Sequence, residues 1–373
     1  MAGEASGDNL GAGLVGEITA INPGFEFYGI GGERMAGQGV KLIYQVRDLA
    51  VLGFFEVLKK LSLVKKVERE LIALVSRNRP AMAILIDYPG FNLRLAGKLK
   101  ELGVPIFYYV SPQIWAWGGS RIKKIKRSVD LMAVFFEFEK ELYQKAEVPV
   151  VRVGHPLLDD VKILQTESEF RQMHNLGPDE TLIGLFPGSR EQEIKRLLPE
   201  LLKTMASIRQ MRPRAKALIG KASSVDDQIY RDIIACSEPA AQFCQSSSHD
   251  LMAYSDMCLV CSGTATLECA IIGTPMLVLY KTSLVTYLIA RGLIRVRHIG
   301  LVNIVDGKKI VPELIQHDCR ADKIAEKVLN LMGNRDEYDQ MKKELSLIRG
   351  KLGQTGAAAR AAKAALELLG ETS

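Results

Sequence analysis

The chain has no run of about 18 or more apolar residues, which excludes a membrane-spanning helix. It has no Gly-x-x-x-x-Gly-Lys-Ser/Thr segment and so no Walker phosphate loop. Gly-x-Ser-x-Gly is missing as well, which argues against a serine hydrolase of the nucleophile-elbow kind. Six cysteines are present (Cys236, Cys244, Cys258, Cys261, Cys269, Cys319), but no zinc set. Cys258 and Cys261 fall inside a predicted buried strand, with no second pair or nearby histidine, and read as reduced core thiols. At the N-terminus Glu4 and Asp8 intervene where a signal peptide would have a basic segment and an apolar core. There is no internal repeat and no low-complexity tract. Aromatic residues are 7% of the chain, and both tryptophans, Trp115 and Trp117, lie in one loop.

What is present fits a soluble α/β protein. The 373 residues suffice for about two domains. Hydrophobic residues make up 47% and charged residues 25%, ordinary values for a globular fold. A formal net charge of +6 suits an anionic partner, whether nucleotide, acidic lipid or nucleic acid.

The most informative stretch runs from Cys258 to Tyr280. Cys258 to Cys261 is an apolar strand, Ser262-Gly263-Thr264 a turn of little bulk, and Ala265 onward a helix. Gly273 and Pro275 stop that helix, and Met276 to Tyr280 is the next strand. Free N–H groups at such a helix start favour a phosphate. Glu268, one turn in, is placed to meet a ribose hydroxyl. An ordinary tight turn that needs small residues for packing gives the same pattern.

Strand–helix alternation occurs twice. The first set has strands at Glu26 to Ile30, Met82 to Ile86, Ile106 to Val110, Leu131 to Val134 and Val150 to Val153, after a helix from Asn9 to Ile21 that follows the loop Glu4 to Asp8. Gly154-His155-Pro156 reads as a hinge. The second set has strands at Leu182 to Phe186, Lys216 to Ile219, Gln242 to Cys244, Cys258 to Cys261 and Met276 to Tyr280, then a helical tail. The expected architecture is two doubly wound Rossmann-like sheets facing a cleft. The expected domains are residues 1–155 and 156–347, with a helix at 348–373 joining the first.

The chemistry would be divided between them. In the second half, Ser189-Arg190 ends one strand and Ser262, Gly263, Thr264 and Glu268 end another. Arg190 can pair with a diphosphate through its planar fork. Asn303, Glu313 and Gln316 add polar groups further on. In the first half, Glu4, Ser6, Asp8 and Asn92, on loops at strand ends, are the candidate residues for binding the acceptor, and Asp87 ends the Met82 to Ile86 strand. Asp87 is the preferred general base for deprotonating a hydroxyl; it could instead cap the helix that follows. The chain has no Asp-x-Asp triplet, the usual carboxylate pattern for a divalent metal in one class of glycosyltransferases, so no metal and no cofactor are expected. Two basic segments stand out. Val51 to Lys66 (VLGFFEVLKKLSLVKK) has helical apolar spacing with lysines beside it, and Arg121 to Arg127 (RIKKIKR) has five basic residues in seven. Each is either a solvated helix face or a surface for anionic lipid. No nucleic-acid-binding module accompanies them.

Seven motifs occur in order: AGEASGD (Ala2 to Asp8), IDYPGFN (Ile86 to Asn92), YVSPQIWAW (Tyr109 to Trp117), VGHPLLD (Val153 to Asp159), PGSRE (Pro187 to Glu191), SGTATLE (Ser262 to Glu268) and VPELIQ (Val311 to Gln316). Together they resemble the lipid-A-disaccharide synthase family across essentially the whole chain. The resemblance implies a GT-B glycosyltransferase that joins a UDP-linked diacylglucosamine to diacylglucosamine 1-phosphate. The new bond would be β-1,6, formed with inversion, with UDP leaving. It implies Asp87 as base, the Ser189-Arg190 and Ser262 to Glu268 motifs on UDP, and a peripheral location on the cytoplasmic face of the bacterial inner membrane. It leaves acyl-chain length and oligomeric state open. The family's first strand precedes AGEASGD, and here Met1 stands in its place. The expectation is an exposed edge and exposed apolar surface there. The alternative is a UDP-sugar epimerase or hydrolase on a GT-B-like fold; a non-catalytic membrane- or nucleic-acid-binding protein is the third reading.

Overall fold

The structure is a computed structural model that describes residues 1–49, 57–115, 121–237, 241–283, 287 and 297–370. Residues 51–56 and Trp117, singled out above, lie outside the described residues. The chain forms two compact units, residues 1–156 with 353–373, and residues 157–352.

The first unit is built on parallel strands. β1 (Tyr28–Gly31) pairs with β2 (Lys41–Gln45). A separate four-stranded sheet has the order β3-β4-β5-β6, with β3 Ala83–Ile86, β4 Ile106–Tyr109, β5 Leu131–Val134 and β6 Val150–Arg152. Met1 and Ala2 lie between the two sheets. The N–H of Ala2 donates to the carbonyl of Ile30 at 2.9 Å and that of Ile86 to Met1 at 2.9 Å. Two residues therefore occupy the place of a strand joining β1 to β3. Beyond Met1 an apolar cavity of about 240 Å³ continues among Leu14, Ile18, Val75, Leu85, Leu95 and Leu99. The edge expected from the sequence thus faces into an internal slot.

Helix Ala5–Ile21 buries Leu14, Val15 and Ile18, and helix Ala357–Leu368 returns from the end of the chain to pack on it. Alanine permits that close approach: the nearest contact to a Cβ built on Gly13 is Cβ of Ala358, at 3.5 Å. Arg360 fixes the returning helix by donating to the carbonyls of Val153 (2.8 Å), Thr355 (2.6 Å) and Gln354 (2.6 Å). Helix Val57–Asn78 turns Val67, Leu71 and Val75 into the core, while Lys65 and Lys66 are exposed.

The second unit is one six-stranded parallel sheet of order β12-β11-β10-β7-β8-β9. Its strands are β7 Thr181–Phe186, β8 Ala215–Ile219, β9 Gln242–Phe243, β10 Met257–Cys261, β11 Met276–Tyr280 and β12 Glu313–Ile315. β10 is wholly buried, as its unbroken apolar run requires. Chain order reverses between β7 and β10, which makes their carboxyl ends a topological switch point. β2 and β12 are strands the sequence does not announce.

Candidate active site

In the second unit the switch point opens into a cavity of about 300 Å³. Three of its walls come from strand ends and a fourth from a helix. Phe186, Gly188, Ser189 and Arg190 follow β7; Gly220, Lys221 and Ala222 follow β8; Ser262, Gly263, Thr264 and Ala265 follow β10; and Ser248 and Met252 come from the helix after β9. Glu268 closes the site from helix Ala265–Ile272. Ser189, Arg190, Ser262, Gly263, Thr264 and Glu268 are thus brought together. At that helix start the N–H groups of Thr266 and Leu267 turn back to the carbonyls of Gly263 (3.2 Å) and Thr264 (2.8 Å), so the N–H groups that could meet a ligand are those of the turn itself. Ser262 Oγ donates to the carbonyl of Ile299 at 2.8 Å, tying the loop before helix Leu301–Asp306 to the cavity wall.

Glu193 is the resident anion of this cavity. One of its oxygens accepts the N–H groups of Ser189 (3.0 Å) and Arg190 (3.2 Å), and the other meets the Arg190 guanidinium at 3.0 Å. Gly188 makes this possible. Its φ is +126°, and an added Cβ would lie 2.6 Å from Glu193. Lys221 is a second cation in the wall, paired with Asp227 at 2.6 Å. Burial raises the carboxyl of Glu268 above its ordinary range, an effect that His249 opposes and Asp160 reinforces. Lys221, Ser248 and Glu193 were not singled out from the sequence. The strand-end rule that found Ser189 would have found Lys221, two residues beyond β8.

Asn303, Glu313 and Gln316 hold backbone instead of lining this cavity. Buried Asn303 donates to Val311 O and Glu313, and accepts the N–H groups of Ile310 and Val311. Glu313 accepts from Ile299 and Gly300. Gln316 exchanges two hydrogen bonds with the backbone of Thr282. Together they shape the loops flanking β11 and β12.

In the first unit Asp87 ends β3, half-buried. Burial raises its carboxyl above the ordinary range, and Glu4 adds to the rise. A shift in this direction brings a carboxylate nearer the pH range in which general bases work. Asp87 does not cap the next helix; the N-cap of Pro89–Glu101 is Tyr88. The backbone here is strained. Asp87 and Tyr88 have φ of +46°, and Val110, at the neighbouring end of β4, has φ of +74°. Such non-glycine positions cost about 1–3 kcal/mol each and are held only by their surroundings. The holding is visible. Asn92 donates to the carbonyls of Ile86 (3.1 Å) and Asp87 (2.8 Å), and Tyr108 donates to Asp87 O at 2.8 Å. The Tyr88 ring lies where any side chain at position 3 would go, 2.2 Å from an added Cβ, so Gly3 of the AGEASGD motif is needed for packing.

Glu4 and Ser6 are exposed at the start of helix Ala5–Ile21. Asp8 is buried, and its carboxylate is spent on the N–H groups of Gly32 (2.6 Å), Arg34 (3.1 Å) and Met35 (3.1 Å). Asn92 is likewise buried beneath the turn.

A family model described as lipid-A-disaccharide synthetase matches residues 1–368. The chain belongs to the lipid-A-disaccharide synthase family. The family's enzyme from Syntrophus aciditrophicus (strain SB) is 45% identical over 370 residues, covering 99% of this chain and 97% of that protein. The enzyme from Geobacter sulfurreducens is 41% identical over 371 residues, covering 100% and 97%. Among solved structures, a calicheamicin glycosyltransferase matches with a TM-score of 0.62 at 13% identity, covering 98% of this chain and 96% of that one. A UDP-GlcNAc 2-epimerase from Neisseria meningitidis matches with a TM-score of 0.60 at 12% identity, covering 98% of each. These likenesses show the fold, a two-domain Rossmann-like GT-B architecture.

Proposed function

We propose that this chain is the glycosyltransferase of lipid A biosynthesis that joins UDP-2,3-diacylglucosamine to 2,3-diacylglucosamine 1-phosphate, releasing UDP. The observation that carries the reading is the cavity of the second unit, where the Ser262-Gly263-Thr264 turn, Arg190 and Lys221 converge at the switch point of a family member. The diphosphate meets the Ser262-Gly263-Thr264 turn and the Ser189-Arg190 turn, and Glu268 accepts from the ribose. Asp87 takes the proton from the acceptor's 6-hydroxyl. The oxygen attacks the anomeric carbon opposite UDP, the C–O bond to the diphosphate breaks, and configuration inverts. The leaving charge is met by N–H dipoles and cations of the protein, so no divalent ion is required. The reading needs Asp87 and the second unit's cavity to meet at one sugar.

Acylated substrates call for a membrane surface. Helix Arg121–Ser128 exposes Lys123, Lys124, Lys126 and Arg127, with Ile125 buried beneath. No helix among the described residues is long and apolar enough to cross a membrane. We therefore assign the chain a peripheral place on an anionic leaflet, bound through this helix and residues 51–66. Sedimentation with anionic vesicles, weakening as salt rises, supports that; equal binding to neutral vesicles counts against it.

UDP release measured with each substrate alone and with both tests the reaction. Release only with both supports it, and turnover of the UDP-sugar alone indicates an epimerase or hydrolase. Activity abolished by EDTA and restored by a divalent ion contradicts metal independence.

A further inference from the structure

Below the strained turn of the first unit lies a polar cluster that the reaction as described leaves without a task. Glu139 is only 5% exposed. One of its oxygens accepts the N–H groups of Phe135 (3.3 Å) and Phe136 (3.2 Å), and the other accepts the indole N–H of Trp115 at 3.2 Å. At the other end of the 111–115 loop the Ser111 hydroxyl donates to Pro112 O at 2.8 Å and lies 3.0 Å from the hydroxyl of Tyr143, which stands on the same helix as Glu139. Both ends of the 111–115 loop are thus tied to helix Glu137–Lys145, the Trp115 end through the Glu139 carboxylate. The loop leaves β4 beside the candidate base, since the Asp87 N–H donates to Tyr109 O at 3.1 Å.

A capping role at the start of helix Glu137–Lys145 accounts for the bonds to Phe135 and Phe136. It does not account for the reach to Trp115 on another element. We propose that Glu139 is a positioning residue, whose ionised carboxylate fixes the 111–115 loop against the Asp87 turn and whose protonation releases it. The inference rests on Asp87 as the base.

The chemistry supports a switch. Backbone and indole N–H groups only donate, so a proton on Glu139 competes with the donors from Phe135, Phe136 and Trp115. Burial pushes the carboxyl up to about 7, against the pull of those same donors. The titratable groups facing it do not change charge there. Tyr143, on its own helix, is pushed far upward by burial. His155, packed on Phe135 and Phe136 at 4.8 and 5.4 Å between ring centres, is pushed down to about 4.

The test uses Trp115 emission in a Trp117→Phe chain, where it is the only indole. The emission is expected to titrate near pH 7 and to become flat when Glu139→Gln is added. In the same chain kcat should rise with pH through that midpoint. Glu139→Gln should remove this limb and lower kcat on the order of ten- to a hundredfold, as small misplacements do, with UDP affinity unchanged. A flat parent emission, or a limb that persists in Glu139→Gln, overturns the proposal. Should Glu139→Gln fail to fold, Trp115→Phe removes one donor and must move the limb to higher pH; an unmoved limb overturns it equally. Asp87→Asn should leave the emission titration intact, so failure of the base assignment is read separately, from turnover.

Discussion

Asp87, Tyr88 and Val110 share one property, a left-handed backbone at adjoining strand ends. Asp87→Asn keeps the shape and removes the proposed base, so turnover should fall by about two to four powers of ten while UDP binding stays near normal; unchanged turnover in a steady-state assay would sink the assignment. Arg190→Ala should instead weaken UDP binding, read by calorimetry, because it removes a cation from the phosphate wall. Val110→Gly should relieve about 1 kcal/mol of strain and raise the unfolding midpoint in denaturant, while lowering kcat if the strain positions Asp87. At this scale the sequence was legible where a motif ends a strand, as at Asp87, Ser189 and Ser262. It was opaque for Asp8, Asn303, Glu313 and Gln316. Each of these side chains holds neighbouring backbone, a contact made by the fold that a polar residue in a loop does not announce in sequence.

Elements with strong periodicity were readable within a residue or two. β11 is Met276–Tyr280 as the apolar run implies, and Gly273 caps the preceding helix at φ +92°. β12 was missed because Glu313–Ile315 has three residues with a charge among them, and pairing with β11 makes it a strand. β2, Lys41–Gln45, is a strand through its pairing with β1. The Glu139 cluster was invisible for another reason: its members come from two loops and a helix, and only the fold brings them together. Helix Ala357–Leu368 carries an element-scale prediction. Ala361 is fully buried, so Ala361→Leu should cost about 1–3 kcal/mol by overpacking, seen as a lower midpoint in chemical denaturation. A midpoint equal to the parent's would mean the returning helix is not packed as described.

For the molecule as a whole, two buried groups of the first unit set opposing pH responses. His155 is pushed down from 6.5 to about 4 by burial. The unfolded chain then binds the extra proton between those values, so stability falls as pH drops through that window, by about 3 kcal/mol. Glu139 is pushed up from 4.5 to about 7. The folded chain holds that proton more tightly, so this group's contribution is full below 4.5 and is lost as pH rises to about 7. The two partly cancel, and variants separate them. The melting-temperature gap between parent and His155→Gln should narrow as pH falls from 6.5 towards 4; a constant gap would mean that His155 titrates normally. The narrow berth between Ile30 and Ile86 has a practical consequence for anyone handling this protein. Whatever is fused ahead of Met1 must thread between two facing strand margins. A short apolar leader should zip into them and toughen the protein against heat, whereas a charged affinity tag should pry them apart.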